Sequence, residues 1–233
     1  MAYKLEDRVH RGTATQLVTW RETLSGGAGR TGWKLGLGSP ELMEKLGIPA
    51  PLVGFLTSRT TLPSGASVSL EGTVKPGIEP EVSLNIGRDL PPDADRDSLR
   101  RGIDSLSVAL EFVDLDRALD EVETVAAENI FHRGVVFGLP SRGESPTTIL
   151  DNLQVQILAN GATVRAAEKG PDFEQMVDLV AHVNGTLSVF GEHLKAGDRI
   201  IAGTLTPIYS PSRGERVQVA ITGLGEIEIN FEN

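Results

Sequence analysis

The chain has 233 residues, a formal charge of −10 and no cysteine. That length admits one large domain or two small ones, with a sizeable core. The acidic balance, with no basic run longer than Arg100-Arg101, argues against a nucleic-acid partner, and the lack of cysteine excludes disulfides, iron–sulfur clusters, thiolate zinc and a cysteine nucleophile.

His10, His132, His182 and His193 show no paired-ligand spacing. A metal here is expected to be hard and oxygen-bound, Mg²⁺ or Mn²⁺ rather than Zn²⁺. The first residues lack the apolar core of a signal peptide, and no apolar run approaches the ~18 residues of a membrane span. The expectation is a soluble, cytoplasmic protein with no membrane partner.

In chain order, residues 13–24 predict an amphipathic helix ended by Ser25-Gly26-Gly27. A short apolar strand studded with glycine follows at 31–38, around Lys34. Ser39-Pro40-Glu41 starts a helix that stops at Gly47. Residues 48–65, with prolines at 49, 51 and 63, read as loop. Strands are predicted at 66–70, 78–86 and 107–113, a short helix from 97 to 101, a helix over 116–129 and a short buried strand at 134–138. Asn160-Gly161 marks a hairpin between 153–159 and 163–167. The longest helix is expected at 173–190, and strands at 199–202, 216–221 and 225–231 close the chain. Helices are interspersed rather than strictly alternating with strands, which predicts α+β with a mixed or antiparallel sheet. Gly36-Leu37-Gly38 lacks the third glycine of a dinucleotide fingerprint.

The chemistry concentrates in residues 78–86. With period two, Ile78, Pro80, Val82, Leu84 and Ile86 share one face; Glu79, Glu81, Ser83 and Asn85 share the other. Two carboxylates about 7 Å apart along a strand need a cation, a proton or bulk water between them. The pair is therefore either the wet face of a half-buried strand or part of a divalent metal site. Pro80 cannot donate to a ladder, so it belongs at a strand entry, an edge or a bulge. Glu111, between Leu110 and Phe112, is a third acid in an apolar strand, either at a site or on an edge. Lys34, between Trp33 and Leu35 with glycines at 32 and 36, is either a pocket residue or a snorkelling one.

Together these residues resemble the fumarylacetoacetate hydrolase superfamily, in particular its 2-oxopent-4-enoate hydratase and 4-oxalocrotonate decarboxylase branch. The landmarks run in family order: Gly32-Trp33-Lys34-Leu35-Gly36, the segment 46–56, Glu79-Pro80-Glu81, Ala109-Leu110-Glu111-Phe112-Val113-Asp114, Ala127-Glu128-Asn129, the block 194–206, and Gly223-Leu224-Gly225. The resemblance implies a β-rich mixed-sheet roll with flanking helices. It implies a helical segment at 1–30, one catalytic domain at 31–233, and a homo-oligomer, dimer or higher. It also implies that Glu79, Glu81 and Glu111 bind Mg²⁺ or Mn²⁺, that Lys34 lies beside a small 2-oxo acid substrate, and that Thr204 faces it. A 2-oxo acid can chelate such an ion through a carboxylate and the keto oxygen, which favours the enolate.

The first expectation is a hydratase- or decarboxylase-type lyase, with Glu128 and Asn129 as catalytic or substrate-binding partners. The chain departs from that branch at Thr57-Ser58-Arg59 and at Ile130-Phe131-His132. His132 is either a general acid/base paired with Glu128, four residues away on one helical face, or a helix-end residue capping carbonyls. The first of these suits the alternative activity, hydrolysis of acylpyruvates or other 1,3-dicarbonyl acids. A non-catalytic partner subunit of a related enzyme is the third reading.

Overall fold

The computed structural model describes residues 3–233. The elements run α1 (Asp7–Ser25), β1 (Arg30–Gly36), α2 (Pro40–Leu46), β2 (Leu52–Thr57), β3 (Thr61–Leu62), β4 (Ala66–Val68), β5 (Pro76–Ile86), α3 (Arg96–Gly102), β6 (Ile103–Asp114), α4 (Val122–Ala127), β7 (His132–Phe137), α5 (Pro146–Asp151), β8 (Val155–Ala159), β9 (Ala162–Ala167), α6 (Phe173–Val189), β10 (Arg199–Ile201), β11 (Arg216–Ile221) and β12 (Gly225–Phe231). The strands form two sheets, ordered β2-β1-β10-β5-β6-β7-β3 and β4-β12-β11-β8-β9. Both are mixed: β1 runs parallel to β10, β3 to β7 and β4 to β12, and the other pairs are antiparallel. This is the α+β arrangement with flanking helices that the sequence predicts.

The long antiparallel pair β5–β6 is the spine. On one face of β6, Val108, Leu110 and Phe112 join Ile227, Ile229 and Phe231 of β12 in the main core. The Phe112 and Phe231 rings meet edge to face at 5.6 Å. The other face is buried too: Ala109 packs with Leu56, Val135 and Ile201, and Val113 with Val122 and Val125 of α4. Each such aliphatic side chain contributes roughly 1.5–3 kcal/mol on burial. A strand covered on both sides reads as an almost unbroken apolar run. Glu111 interrupts that run, fully buried.

Pro80 is accommodated by a change on the β10 side of β5. The β10 ladder covers only Ser83–Asn85. Beyond it the chain is irregular, and Leu205 donates its N–H to the Pro80 carbonyl at 2.9 Å. Because a strand residue's N–H and C=O point to the same side, the donor that proline lacks faces this irregular stretch, where the ladder has already ended.

At the other end of β1, Arg30 pairs with the buried Asp198 (Nε–Oδ1 2.6 Å) and lies over the Trp20 and Trp33 rings at 5.5 and 5.3 Å. The Trp33 indole also donates to Asp198, at 3.2 Å. This cluster fastens α1 and β1 to the start of β10. Between the strands, Gly32 approaches so closely that a Cβ there would sit 1.9 Å from the Arg199 carbonyl oxygen, so only glycine fits. Lys34 is two residues further along the same strand.

Three local expectations change. Residues 48–65 contain β2 and β3 rather than loop alone: the prolines at 49 and 51 precede β2 and leave its ladder to β1 intact. The predicted helix 116–129 shrinks to α4, because the Asp116 N–H bonds back to the Asp114 carbonyl and the Glu121 N–H to the Ala118 carbonyl, tight turns in place of helical bonds. The helix also ends early. Asn129, Ile130 and Phe131 all adopt left-handed φ angles of 62°, 53° and 64°. No helix in the described residues is long and apolar enough to cross a membrane.

Candidate metal centre

The register of β5 and β6 sets Glu79 directly opposite Glu111 and sets Glu81 opposite the small Ala109. Carboxylate oxygens of Glu79, Glu81 and Glu111 thereby come within 4.8 Å of one another. Glu81 Oε2 accepts the Gly203 N–H at 2.6 Å. Glu111 Oε1 is shared between Lys34 Nζ at 2.5 Å and His132 Nδ1 at 2.6 Å. Glu81 Oε1 and Glu111 Oε2 are buried and have no hydrogen-bond partner among the described residues.

Two unpartnered carboxylate oxygens in one buried cluster are costly, because each has lost its hydration without a replacement. Three carboxylates against one ammonium leave a charge of −2 when all are ionised. A divalent cation with oxygen ligands answers both deficits, so the donor set fits the ion that the sequence predicts.

The titration behaviour follows from the same geometry. Burial and the Glu111 charge push Glu79 up to about 7, with Lys34 opposing. Burial, then Glu111 and Glu79, raise Glu81 well above the usual carboxylate range. Burial also acts to raise Glu111, but Lys34 and His132 outweigh it and hold that carboxyl low. Burial lowers His132 despite its bond to Glu111. A neutral His132 donates Nδ1–H to Glu111 and accepts from the Thr60 hydroxyl at Nε2, 2.9 Å away.

The stability of the metal-free protein depends on pH as a result. The folded Glu79 holds its proton up to about pH 7, while the unfolded chain releases it near 4.5. The native state therefore binds more protons across that window, and stability falls as pH rises through it. The loss is on the order of 3 kcal/mol and is complete above pH 7. In chelator, the melting temperature of the native chain relative to Glu79→Gln should drop between pH 5 and pH 8. A constant difference would contradict this placement of Glu79.

Lys34 points from β1 into the cluster and is 2% exposed. Besides Glu111 it donates to the Ile130 carbonyl at 2.9 Å. Its stem passes Gly54 of the neighbouring β2, where a Cβ would lie 2.8 Å from Lys34 Cγ and 2.7 Å from the Asn129 side-chain oxygen. Thus the missing side chain at Gly54 makes the room that Lys34 occupies.

Two expected site residues are engaged with other parts of the chain. Glu128 is exposed and paired with Arg117. It does not share a helical face with His132, because α4 ends at Ala127 and the left-handed turn at 129–131 separates the two. Asn129 clamps Phe55: its oxygen accepts Phe55 N–H at 2.8 Å and its nitrogen donates to Phe55 O at 2.9 Å. Asn129→Ala would orphan both Phe55 groups and place alanine at a left-handed φ. We expect a loss of roughly 2–4 kcal/mol in denaturant unfolding. A loss below about 1 kcal/mol would mean the clamp is dispensable.

The helix-capping alternative for His132 also fails, since both its ring nitrogens bond side chains of the site. Sequence reasoning missed three participants: the Gly203 N–H, the Ile130 carbonyl and the Thr60 hydroxyl. Gly203 belongs to the 194–206 block, but a backbone donor carries no residue-type signal. Thr204, expected to face substrate, bonds the Thr206 carbonyl at 2.9 Å and lines a cavity of about 440 Å³ that also contacts Lys34 and Glu79.

A family model for the fumarylacetoacetate (FAA) hydrolase C-terminal region matches residues 33–232. The chain belongs to this family. Among its relatives, the 2-hydroxyhexa-2,4-dienoate hydratase of Comamonas testosteroni is 28% identical over 207 residues, covering 86% of this chain and 77% of the relative. A 4-oxalocrotonate decarboxylase of Pseudomonas putida is 26% identical over 204 residues, covering 86% and 76%. The solved 4-oxalocrotonate decarboxylase from Pseudomonas putida G7, complexed with magnesium and adipate, superposes with a TM-score of 0.80 at 26% identity. It covers 93% of this chain and 83% of its own. The family and branch named from the sequence landmarks are thus the ones to which the chain is similar.

Proposed function

We propose that this family member is a divalent-metal-dependent lyase acting on a small 2-oxo acid, of the hydratase or decarboxylase type. Glu79, Glu81 and Glu111 are the ligands, and the ion is Mg²⁺ or Mn²⁺. The observation that carries the reading is the pair of buried, unpartnered oxygens on Glu81 and Glu111 within one carboxylate triad. The similarity to hydratases and decarboxylases supports the reaction class.

When bound, the ion supplies Lewis acidity toward a chelating 2-oxo acid. The chain's own groups hold and orient. The Gly203 N–H fixes the Glu81 rotamer. His132, braced by Thr60, fixes Glu111 from behind, as an outer partner of a metal carboxylate does. Lys34 gives N–H bonds to Glu111 and the Ile130 carbonyl and lines the cavity, where its third N–H would hold the substrate carboxylate. The apolar walls keep water from competing at these charges.

The hydrolase alternative relies on Glu128 and His132 activating water together; the pairing of Glu128 with Arg117 and of His132 with Glu111 favours the lyase reading over it. A non-catalytic subunit would have no use for orphaned carboxylate oxygens. The test is incubation with Mg²⁺ and, separately, 2-hydroxypenta-2,4-dienoate and an acylpyruvate, followed by product analysis. Consumption of the dienoate is expected. Consumption of the acylpyruvate alone would overturn the lyase assignment.

A further inference from the structure

The cavity is chemically one-sided. Lys34 and Glu79 sit at one place on its wall, and Lys34 is the one cation among the described residues that line it. Apart from the Ser39 and Thr204 hydroxyls, the other side chains on the wall are aliphatic or aromatic, among them Leu37, Leu42, Leu119, Phe131, Leu179 and Leu205. Those side chains come from separate elements, α2, α6 and the loops beside β1, α4 and β10, so apolar surface is spread around the cavity.

A 2-oxo acid anchored at the carboxylate triad must send the rest of its chain into this enclosure. The volume of about 440 Å³ exceeds what the two chelating oxygens and their carbons fill, so the tail is what the cavity is shaped around. An ionised carboxylate on that tail would lose hydration and find, among the described residues of the wall, no arginine, histidine or second lysine in exchange.

We infer that this cavity selects 2-oxo acids whose tail is uncharged and apolar, and discriminates against 2-oxo dicarboxylates of the same length. The inference rests on the reading of the triad as the anchor for a 2-oxo acid. Of the two lyase chemistries, it favours the one whose substrate bears a single carboxylate.

The test is calorimetry on the Mg²⁺-loaded protein with 2-oxohexanoate and 2-oxoadipate, six-carbon acids that differ in a terminal methyl against a terminal carboxylate. The monocarboxylate should bind at least ~10-fold more tightly. Extending it to 2-oxooctanoate should tighten binding further, by up to about 4-fold per methylene. A smaller preference, or a preference for 2-oxoadipate, overturns the selectivity and leaves the metal-centre reading in place. If Mg²⁺ binds and neither acid does, the 2-oxo acid reading fails, and the selectivity with it.

Discussion

Glu81→Gln should abolish turnover while making the metal-free protein more stable. The substituted amide oxygen can still accept the Gly203 N–H, so the strand geometry survives. Its NH₂ group replaces the unpartnered oxygen and donates toward the remaining carboxylates of the triad. A buried acid raised well above its usual range is thereby exchanged for a neutral group that satisfies its neighbours. The metal-free protein should gain roughly 1–3 kcal/mol at neutral pH. The same change removes a ligand and one negative charge. Mg²⁺ affinity should fall at least ~100-fold, beyond the usual effect of losing an outer partner, and kcat by about 10³-fold or more. Calorimetry with Mg²⁺ and melting in chelator read the two effects separately. A variant that loses activity but keeps its ion, or that melts lower without the ion, would contradict the role assigned to Glu81.

Lys34→Met should have the opposite signature. Methionine keeps much of the stem beside Gly54 but removes the ammonium. Glu111 then loses the charge that most strongly counters its burial, and the Ile130 carbonyl loses its donor. Breaking one side of a buried pair costs roughly 3–5 kcal/mol. Part of this loss should return on adding Mg²⁺, because the ion neutralises the carboxylates that Lys34 served. The melting-temperature rise on Mg²⁺ addition should therefore be larger in Lys34→Met than in the native protein. Turnover should fall about 10²–10³-fold even when the ion is saturating, since no other cation among the described residues lines the cavity to orient a carboxylate. An equal thermal response to Mg²⁺ in both proteins would separate Lys34 from the triad.

What the sequence made legible was whatever depends on strand periodicity. The alternation in 78–86 and 107–113 placed Glu79, Glu81 and Glu111 on the faces they occupy, because β5 and β6 are long and one face of each is committed to the inter-sheet core. Lys34 was visible as a charge amid tryptophan, leucine and glycine. What remained hidden was the segment from Glu128 to His132. The i, i+4 rule that paired those two holds only inside a helix, and the helix stops before it can apply. Asn129 is a residue type that tolerates a left-handed φ; Ile130 and Phe131 are not, so nothing in their identities announces the turn. Backbone groups were equally out of reach, and two of them, the Gly203 N–H and the Ile130 carbonyl, orient the charged side chains.

That left-handed turn has a dynamic consequence. Three successive non-glycine residues in this region cost on the order of 1–2 kcal/mol each. The turn persists because it is pinned at three points: the Asn129 amide on Phe55, the Ile130 carbonyl on Lys34, and the Phe131 carbonyl on the Asp114 N–H. Ile130 and Phe131 are also cavity wall. Release of the pins would let the turn relax as one unit, carrying the wall outward and taking a partner from Lys34 in the same motion. Such a motion would couple access to the cavity with readiness of its cation through one short loop. Hydrogen exchange at residues 129–132 is the observable in which that coupling would be seen.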